Sequence, residues 1–135
     1  MSAELKSVEK NLAGAIPVTT LLTQQRICDM FVGACEGGST YWCEEINLTK
    51  SVKPKLRGVI WWGSENIYQP GIEMELKVDD EEDTRKLTWD SIVHGARKMA
   101  VEQPRHFSDI LTENDDATTA DVFLQYCTFG EIVYG

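Results

Sequence analysis

The fold is decided by residues 72–88, which read IEMELKVDDEEDTRKLT. Apolar and charged residues alternate from Ile72 to Val78, the pattern of a strand with one buried and one solvated face. The five consecutive carboxylates that follow cannot be buried together, so residues 79–83 are predicted to form the solvated turn of a hairpin. The second strand of this hairpin is expected at residues 84–87.

Helices are predicted after the hairpin. Thr88 is placed to cap a helix over residues 89–102, and Pro104 ends that helix and opens a short one. The residues of the short helix expected to face inward are Phe107, Ile110 and Leu111. A last helix, apolar on most sides, is predicted to start near residue 116 or 118 and to end at Gly130.

The chain before the hairpin is less regular. Apolar residues at three- and four-residue spacing predict a helix over residues 21–36, followed by a Gly-Gly stop at residues 37–38. Residues 39–48 alternate well enough for a strand, and residues 50–70, with two prolines, read as an irregular connection. Residues 1–19 mix charged and scattered apolar residues, which indicates a loosely held arm.

These elements define one α+β domain over residues 20–135. The length of 135 residues and the hydrophobic content of 42% suit a single packed core. We predict a small antiparallel sheet with a hairpin at its centre, packed on one face by three or four helices.

The charge of the chain limits its partners. Thirteen basic and 22 acidic residues give a net charge of −9, which repels phosphate backbones and acidic membranes. No apolar run approaches a membrane span and no signal peptide is recognisable, so a cytoplasmic protein is expected. The four cysteines contain no C-x-x-C pair, and neither a disulfide framework nor a zinc site is predicted.

Aromatic residues concentrate in the half of the chain that forms the sheet. Adjacent tryptophans on a strand point to opposite faces, so one of Trp61 and Trp62 would either meet a partner or be covered by the loop of residues 50–70. Together with the acidic run, these aromatic residues form the candidate partner-binding set. Its members are Tyr41, Trp42, Trp61, Trp62, Tyr68, Asp79, Asp80, Glu81 and Glu82.

Catalytic chemistry has weak support in the sequence. Asp115, Asp116 and Asp121 could share a metal, but capping of the last helix is the favoured explanation for at least one of them. Residues 79–83 lack the ligand order of a calcium loop, and no nucleophile elbow is present. We therefore predict no catalytic residue, no metal and no cofactor.

Two stretches carry a resemblance to a known family: Glu36-Gly-Gly-Ser-Thr-Tyr-Trp42, and the run from Pro104 to Gly135 that contains Asp-Ala-Thr-Thr-Ala-Asp-Val-Phe-Leu-Gln. Both resemble a small protein family found in tailed-bacteriophage genomes, for which no biochemical activity is assigned. The two stretches cover about a third of the chain, and the order of elements extends the similarity over most of it from residue 20 onward. The resemblance implies an accessory phage protein in the bacterial cytoplasm.

Three hypotheses of function follow. The first is a stoichiometric inhibitor of a host or antiviral-defence protein, with an interface of aromatic and acidic residues. The second is a nucleotide-messenger sponge in which Arg57, Arg97 or Arg105 pairs with phosphate, with a homodimer as an open alternative. The third is a metal-dependent enzyme that uses the aspartates near residue 116 or the acidic run. We favour the first.

Overall fold

The computed structural model describes residues 18–53 and 60–135. Most of the arm predicted over residues 1–19 therefore lies outside the described residues. The described part is an α+β domain with a three-stranded antiparallel sheet and four α-helices that pack together. The predicted fold class is confirmed.

The sheet has the order β1-β2-β3, with β1 at Cys43–Lys50, β2 at Glu73–Val78 and β3 at Arg85–Thr88. The predicted β2–β3 hairpin is present, and in it Leu76 pairs with Arg85 and Met74 with Leu87. β1 pairs with the other side of β2, and its register shifts near each end. The strand begins four residues after the start of the predicted range of residues 39–48 and ends two residues beyond it, and the register shifts leave its burial pattern irregular.

Three of the four α-helices in the described residues begin after a residue whose side chain caps the helix. α1 (Gln24–Gly33) is capped by Thr23 and continues into a π-helical turn over Ala34–Gly38. α2 (Trp89–Glu102) has the predicted Thr88 cap, which Ser91 completes as a capping box. α3 (Pro104–Leu111) starts on its proline. α4 (Ala117–Phe129) is capped by Asp116 and ends at Gly130.

The last helix is the centre of the core. Nine consecutive residues of α4, from Thr119 to Cys127, are buried, so the helix is covered on all sides. α2 crosses it at Gly95, where a Cβ atom would lie 2.7 Å from the backbone of Cys127. Only glycine permits this close crossing. β2 adds Met74, Leu76 and Val78 to the same core through its buried face.

Several local predictions need correction. The first helix is shorter than residues 21–36, since Leu21 is exposed and Thr23 caps the helix. Leu111, expected to face inward, is 38% exposed, whereas Phe107 and Ile110 are buried as predicted. None of the helices in residues 18–53 and 60–135 has the length and apolar character needed to cross a membrane.

The adjacent tryptophans do not lie on a strand. Trp61–Gly63 forms a 3₁₀ turn, and a second one follows at Glu65–Ile67. The rings of Trp61 and Trp62 meet edge to face, with centroids 5.9 Å apart, so the expected opposition across a sheet does not occur. Trp61 is buried and Trp62 is half-buried.

Candidate interaction surface

A buried carboxylate connects the two stretches that carry the family resemblance. Asp121 on α4 accepts hydrogen bonds from Ser39 Oγ at 2.8 Å and from the Trp42 indole Nε1 at 2.7 Å. Its other oxygen accepts from the Tyr41 hydroxyl at 2.6 Å and from Gln125 Nε2 at 3.1 Å. Because a buried carboxylate needs such donors, the Gly-Gly-Ser-Thr-Tyr-Trp stretch and Asp121 form one structural unit, which we call the Asp121 network.

A glycine brings the two parts of this network together. A Cβ atom on Gly38 would lie 2.5 Å from the carbonyl oxygen of Ala117, the first residue of α4. The following turn is closed by Ser39, whose carbonyl accepts from the backbone N–H groups of Trp42 and Cys43 at 3.1 and 2.8 Å. The side chains of Ser39, Tyr41 and Trp42 are thereby directed to one carboxylate one turn into α4.

The segment after α4 rests against this network. We call residues 131–135 the tail, and Trp42, Gln125 and Phe129 the tail seat. Gln125 Oε1 accepts from the backbone N–H groups of Val133 and Tyr134 at 2.8 and 2.9 Å, while its Nε2 donates to the Tyr134 carbonyl at 3.1 Å. The Tyr134 ring is parallel to the Trp42 ring, with centroids 5.7 Å apart. The tail is therefore held by its backbone and by one aromatic ring.

Exposed acidic residues lie at the end of the sheet next to Trp42 of the Asp121 network. Cys43, the first residue of β1, pairs with Val78, the last residue of β2, and the Trp42 carbonyl accepts from the Asp79 N–H at 2.8 Å. This register sets the start of β1 beside the β2–β3 turn. The exposed acidic residues of the two segments are Glu44, Glu45, Asp80, Glu82 and Asp83.

One acidic residue of the turn is neutralised. Glu81 forms a two-point ion pair with Arg85, at 2.8 and 3.0 Å, and the hydrogen bonds from Arg85 lower the pKa of Glu81. The Arg85 guanidinium also lies 4.6 Å from the centroid of the Phe129 ring, which belongs to the tail seat. Arg85 therefore joins the acidic turn to the tail seat.

Three apolar or aromatic side chains are exposed close to the Asp121 network. Tyr41 is 51% exposed, Ile132 42% and Val133 50%. A Cβ atom on Gly135 would lie 3.3 Å from the Tyr41 hydroxyl, so Tyr41 and the tail are neighbours. We call these three residues, with Glu44, Glu45 and residues 79–83, the acidic interaction surface.

The hydroxyl of Tyr41 is fixed although its ring is exposed. Desolvation and the hydrogen bond to Asp121 raise the pKa of Tyr41 to about 12, which keeps the hydroxyl protonated as a donor at neutral pH. The hydrogen bond to Asp121 therefore orients the exposed Tyr41 ring of the acidic interaction surface.

Most of the predicted aromatic partner-binding residues are core residues instead. Trp42 and Tyr68 have no exposed surface, and Trp61 is 9% exposed. Tyr68 stacks on Phe31, and its hydroxyl donates to the Trp62 carbonyl at 2.6 Å. These three rings are buried because large apolar side chains gain the most free energy by leaving water. Trp42, Trp61 and Tyr68 therefore offer no surface to a partner in this structure. Tyr41, Asp80 and Glu82 are exposed, whereas Trp62, Asp79 and Glu81 are half-buried.

The three aspartates considered for a metal have separate partners. Asp115 pairs with Arg26, which also binds Asp29. Asp116 accepts the N–H of Thr119 at 2.9 Å as the α4 cap, and this bond lowers the pKa of Asp116. Asp121 belongs to the network described above. Across residues 18–53 and 60–135, no group of three His, Cys, Asp or Glu side chains is arranged to hold a metal ion.

The thiols are free and poorly ionised. Burial raises the pKa of Cys28 and Cys43 to about 11 and that of Cys35 to about 12, and it also raises the pKa of Cys127. Cys35 and Cys43 line a cavity of about 240 Å³ between the π-helical turn and β1. Because the thiolate is the reactive form, these side chains act as small apolar groups at neutral pH.

Of the three arginines proposed for phosphate binding, the structure describes Arg97 and Arg105. Arg97 lines a groove of about 280 Å³ that is otherwise almost entirely apolar and that we call the helical groove. The other residues of the groove used below are Leu22, Trp89, Ile92 and Phe107. Arg105 is exposed in the first turn of α3, and Arg57 lies outside the described residues.

Sequence reasoning missed the role of Gln125. The sequence predicts α4 as an apolar central helix, and no partner was predicted for its buried polar residues. A glutamine in a fully buried helix must find hydrogen-bond partners, and that requirement was the available signal. Asp121 and Tyr41 are two of these partners, and the others lie in a tail that has no regular secondary structure.

The fold and the surface define an α+β protein with an acidic, aromatic-centred face at one end of its sheet. Comparisons with protein-family models, with curated proteins and with solved structures give no match. The similarity to the tailed-phage family stays a prediction.

Proposed function

We propose that the protein acts by stoichiometric binding, through the acidic interaction surface, to a basic surface of another protein. The observation that carries this proposal is the exposure of Tyr41, Ile132 and Val133 beside a row of carboxylates. An apolar and aromatic centre with a charged rim is the usual composition of a protein–protein interface. The resemblance to phage accessory proteins supports a host or antiviral-defence protein as the target, with inhibition as the result.

The Asp121 network supports binding by making the surface rigid. Tyr41 is held through its hydroxyl, and the tail is held through Gln125, so little conformational entropy remains to be lost when a partner binds. The net charge of −9 adds long-range attraction to a basic partner, which raises the association rate at low salt.

The test is affinity purification from bacterial lysate, followed by native mass spectrometry of the recovered complex. The wild-type protein is expected to recover a partner at one-to-one stoichiometry. The double variant Glu44→Lys, Glu45→Lys is expected to recover at least about tenfold less, because it reverses the rim charge. No stable partner, or equal recovery by the variant, would contradict the proposal.

A matched control separates local from global charge. The variant Glu65→Lys, Glu113→Lys reverses two exposed carboxylates outside the acidic interaction surface. Each Glu→Lys change adds two charges, so both double variants move the net charge from −9 to −5. The control variant is expected to recover the partner like the wild type.

A second candidate function is supported by the helical groove. Arg97 lies in the same groove as Trp89, so a base could stack on the indole while the guanidinium pairs with phosphate. Native mass spectrometry with added mono- and dinucleotides tests this sponge function. A bound nucleotide that is lost in Arg97→Ala would support it, and the absence of any bound nucleotide would exclude these ligands.

A further inference from the structure

β1 is an edge strand with an unpaired outer side. The sheet order is β1-β2-β3, and within residues 18–53 and 60–135 the strand pairs with β2 alone. In the same residues, the run Glu44–Lys50 makes no backbone hydrogen bond outside that pairing. The N–H and C=O groups along such an edge can pair with a further strand. β1 therefore offers main-chain donors and acceptors to a partner.

A cavity runs along this edge. It is the cavity of about 240 Å³ that Cys35 and Cys43 line, and we call it the edge cavity. Among the described residues, Cys43 to Ile46 of β1 line it and no residue of β2 does, so it lies on the side of β1 that is turned away from β2. The Cys43 thiol donates a weak hydrogen bond to the Glu45 carbonyl at 3.6 Å. A main-chain acceptor of the strand thus lies at the cavity.

The lining of the edge cavity is mainly apolar. Ala34 and Leu124 lie at its base, each at most 1% exposed, while Cys35, Ile46 and Trp62 are half-buried. A cavity of roughly 150 Å³ admits benzene. The edge cavity therefore has room for one leucine, methionine or phenylalanine side chain, and burial of that side chain would stabilise a complex.

The charge at the edge cavity is negative. Glu44 and Glu45 line it, both are exposed, and neither has an ion-pair partner within the described part of the chain. No lysine or arginine among the described residues lines the cavity. Two uncompensated carboxylates favour a basic occupant and repel an acidic one.

The register of the sheet determines which side chains of an added strand would meet these features. Ile46 pairs with Leu76, which is buried, and Glu45 pairs with Lys77 on the opposite face. Side chains alternate between the two faces of a strand. In a segment added beside β1, an apolar residue on the Ile46 face would enter the edge cavity, and its basic neighbours would lie on the Glu45 face.

We propose that the free edge of β1 binds a basic extended segment of the partner protein as an additional strand, with one apolar side chain of the segment in the edge cavity. Main-chain hydrogen bonds supply affinity in this mode of recognition, and the pocket and the charges supply specificity. This inference rests on the proposed function, since Glu44 and Glu45 belong to the acidic interaction surface. It adds the conformation and the residue pattern of the partner segment.

The experiment is fluorescence anisotropy with the full-length protein and a labelled TKLKLKT peptide, which alternates basic and apolar residues. Wild type is expected to bind this peptide. The peptides TKAKAKT, which lacks the large apolar side chains, and TELELET, which reverses the charge, should bind at least about tenfold more weakly. Equal binding of the three peptides would overturn the proposal.

Variants of the cavity test where the peptide binds. Cys35→Phe fills the edge cavity and should weaken binding of TKLKLKT at least about tenfold, whereas Cys35→Ala leaves the cavity open and should bind like wild type. Thermal unfolding shows whether both variants are folded. If Cys35→Phe is not, Glu45→Lys decides, with Glu113→Lys as the control of equal charge outside the surface. Equal affinities within the deciding pair would overturn the proposal.

Hydrogen exchange tests whether the peptide adds as a strand. Bound TKLKLKT should slow the exchange of those backbone N–H groups of Glu44–Lys50 that point away from β2. Peptide binding without slower exchange in β1 would contradict strand addition. A wild-type dimer that Glu45→Lys abolishes and Glu113→Lys retains would make a second copy of this chain the occupant, and the partner assignment would be overturned.

Capture from lysate separates this inference from the proposed function. A protein recovered equally by wild type and by folded Cys35→Phe would support the proposed function and would overturn the edge site. Binding of TKLKLKT with the expected variant effects, but with no protein recovered from lysate, would establish the edge site and would contradict the proposed function alone.

Discussion

The acidic interaction surface and the helical groove both present apolar side chains to solvent, but they are constructed differently. The acidic interaction surface is oriented by directional hydrogen bonds to one buried carboxylate, Asp121. The helical groove is lined mainly by apolar side chains of α1, α2, α3 and the segment just before α1, and within the described part of the chain Arg97 is the one charged residue of its lining. Directional contacts fix positions, whereas apolar contacts allow repacking. The comparison indicates that the acidic interaction surface, which the Asp121 network orients, is the more specific of the two binding surfaces.

The largest expected effect comes from removal of the carboxylate. Asp121→Ala leaves the donors of Ser39, Trp42 and Gln125 without their buried acceptor, so the free energy of unfolding should fall by about 3–5 kcal/mol. In the helical groove, Leu22→Ala removes a half-buried side chain and should cost about 1 kcal/mol. Urea unfolding of both variants measures the contrast, and equal losses would contradict it.

A glycine pair tests how the network is assembled. Gly38→Ala places a methyl group against the Ala117 carbonyl and should lower the free energy of unfolding by about 2 kcal/mol. Gly37→Ala is the matched control, since its Cβ atom would meet nothing within 4 Å. Thermal unfolding of the two variants is the measurement. If both variants unfold at one temperature, the close approach of residue 38 to α4 is not required.

Loss of the tail ring has a smaller expected effect. Tyr134→Ala removes the aromatic contacts with Trp42 and Phe129 and should cost about 1 kcal/mol, whereas Tyr134→Phe should cost less than half of that. Urea unfolding distinguishes the two variants. A loss above about 4 kcal/mol for Tyr134→Ala would mean that the tail belongs to the core.

The cap of α4 adds a pH dependence. Asp116 has a lowered pKa in the folded protein because it accepts the Thr119 N–H. The contribution of Asp116 to the free energy of unfolding is therefore complete above the pKa of about 3.9 that it has in the unfolded chain. This contribution disappears as the pH falls through the lower pKa of the folded protein. Asp116→Ala should cost about 1 kcal/mol at pH 7, and its difference from wild type should shrink below about pH 4. A difference that stays constant down to pH 2 would contradict this account.

The sequence predicts the elements whose signals are local. α2 was placed correctly at both ends, because its Thr88 cap and the break at Pro104 lie next to it in the chain. The hairpin of residues 72–88 was also predicted, since alternation and a charged turn are short-range features. These signals sufficed for the fold class.

The Asp121 network could not be predicted in the same way. Its donors Ser39, Tyr41 and Trp42 lie 79 to 82 residues from the acceptor, and no periodicity encodes such a contact. The aspartate lies within an apolar helix, but capping was the favoured explanation for the aspartates near the start of that helix. The irregular register of β1 and the 3₁₀ turn at Trp61 likewise depend on tertiary packing.

The most direct test of the central claim, that the walls of the surface are preformed by Asp121, is the solvent exchange of the Trp42 indole N–H followed by NMR. This proton is buried and bonded to Asp121, so it should exchange only through unfolding in wild type. The same slow exchange is expected in Tyr134→Ala, after correction for its stability, because the tail does not hold Trp42 in place. Rapid exchange in Tyr134→Ala would show that the tail builds the seat, and the account would be wrong.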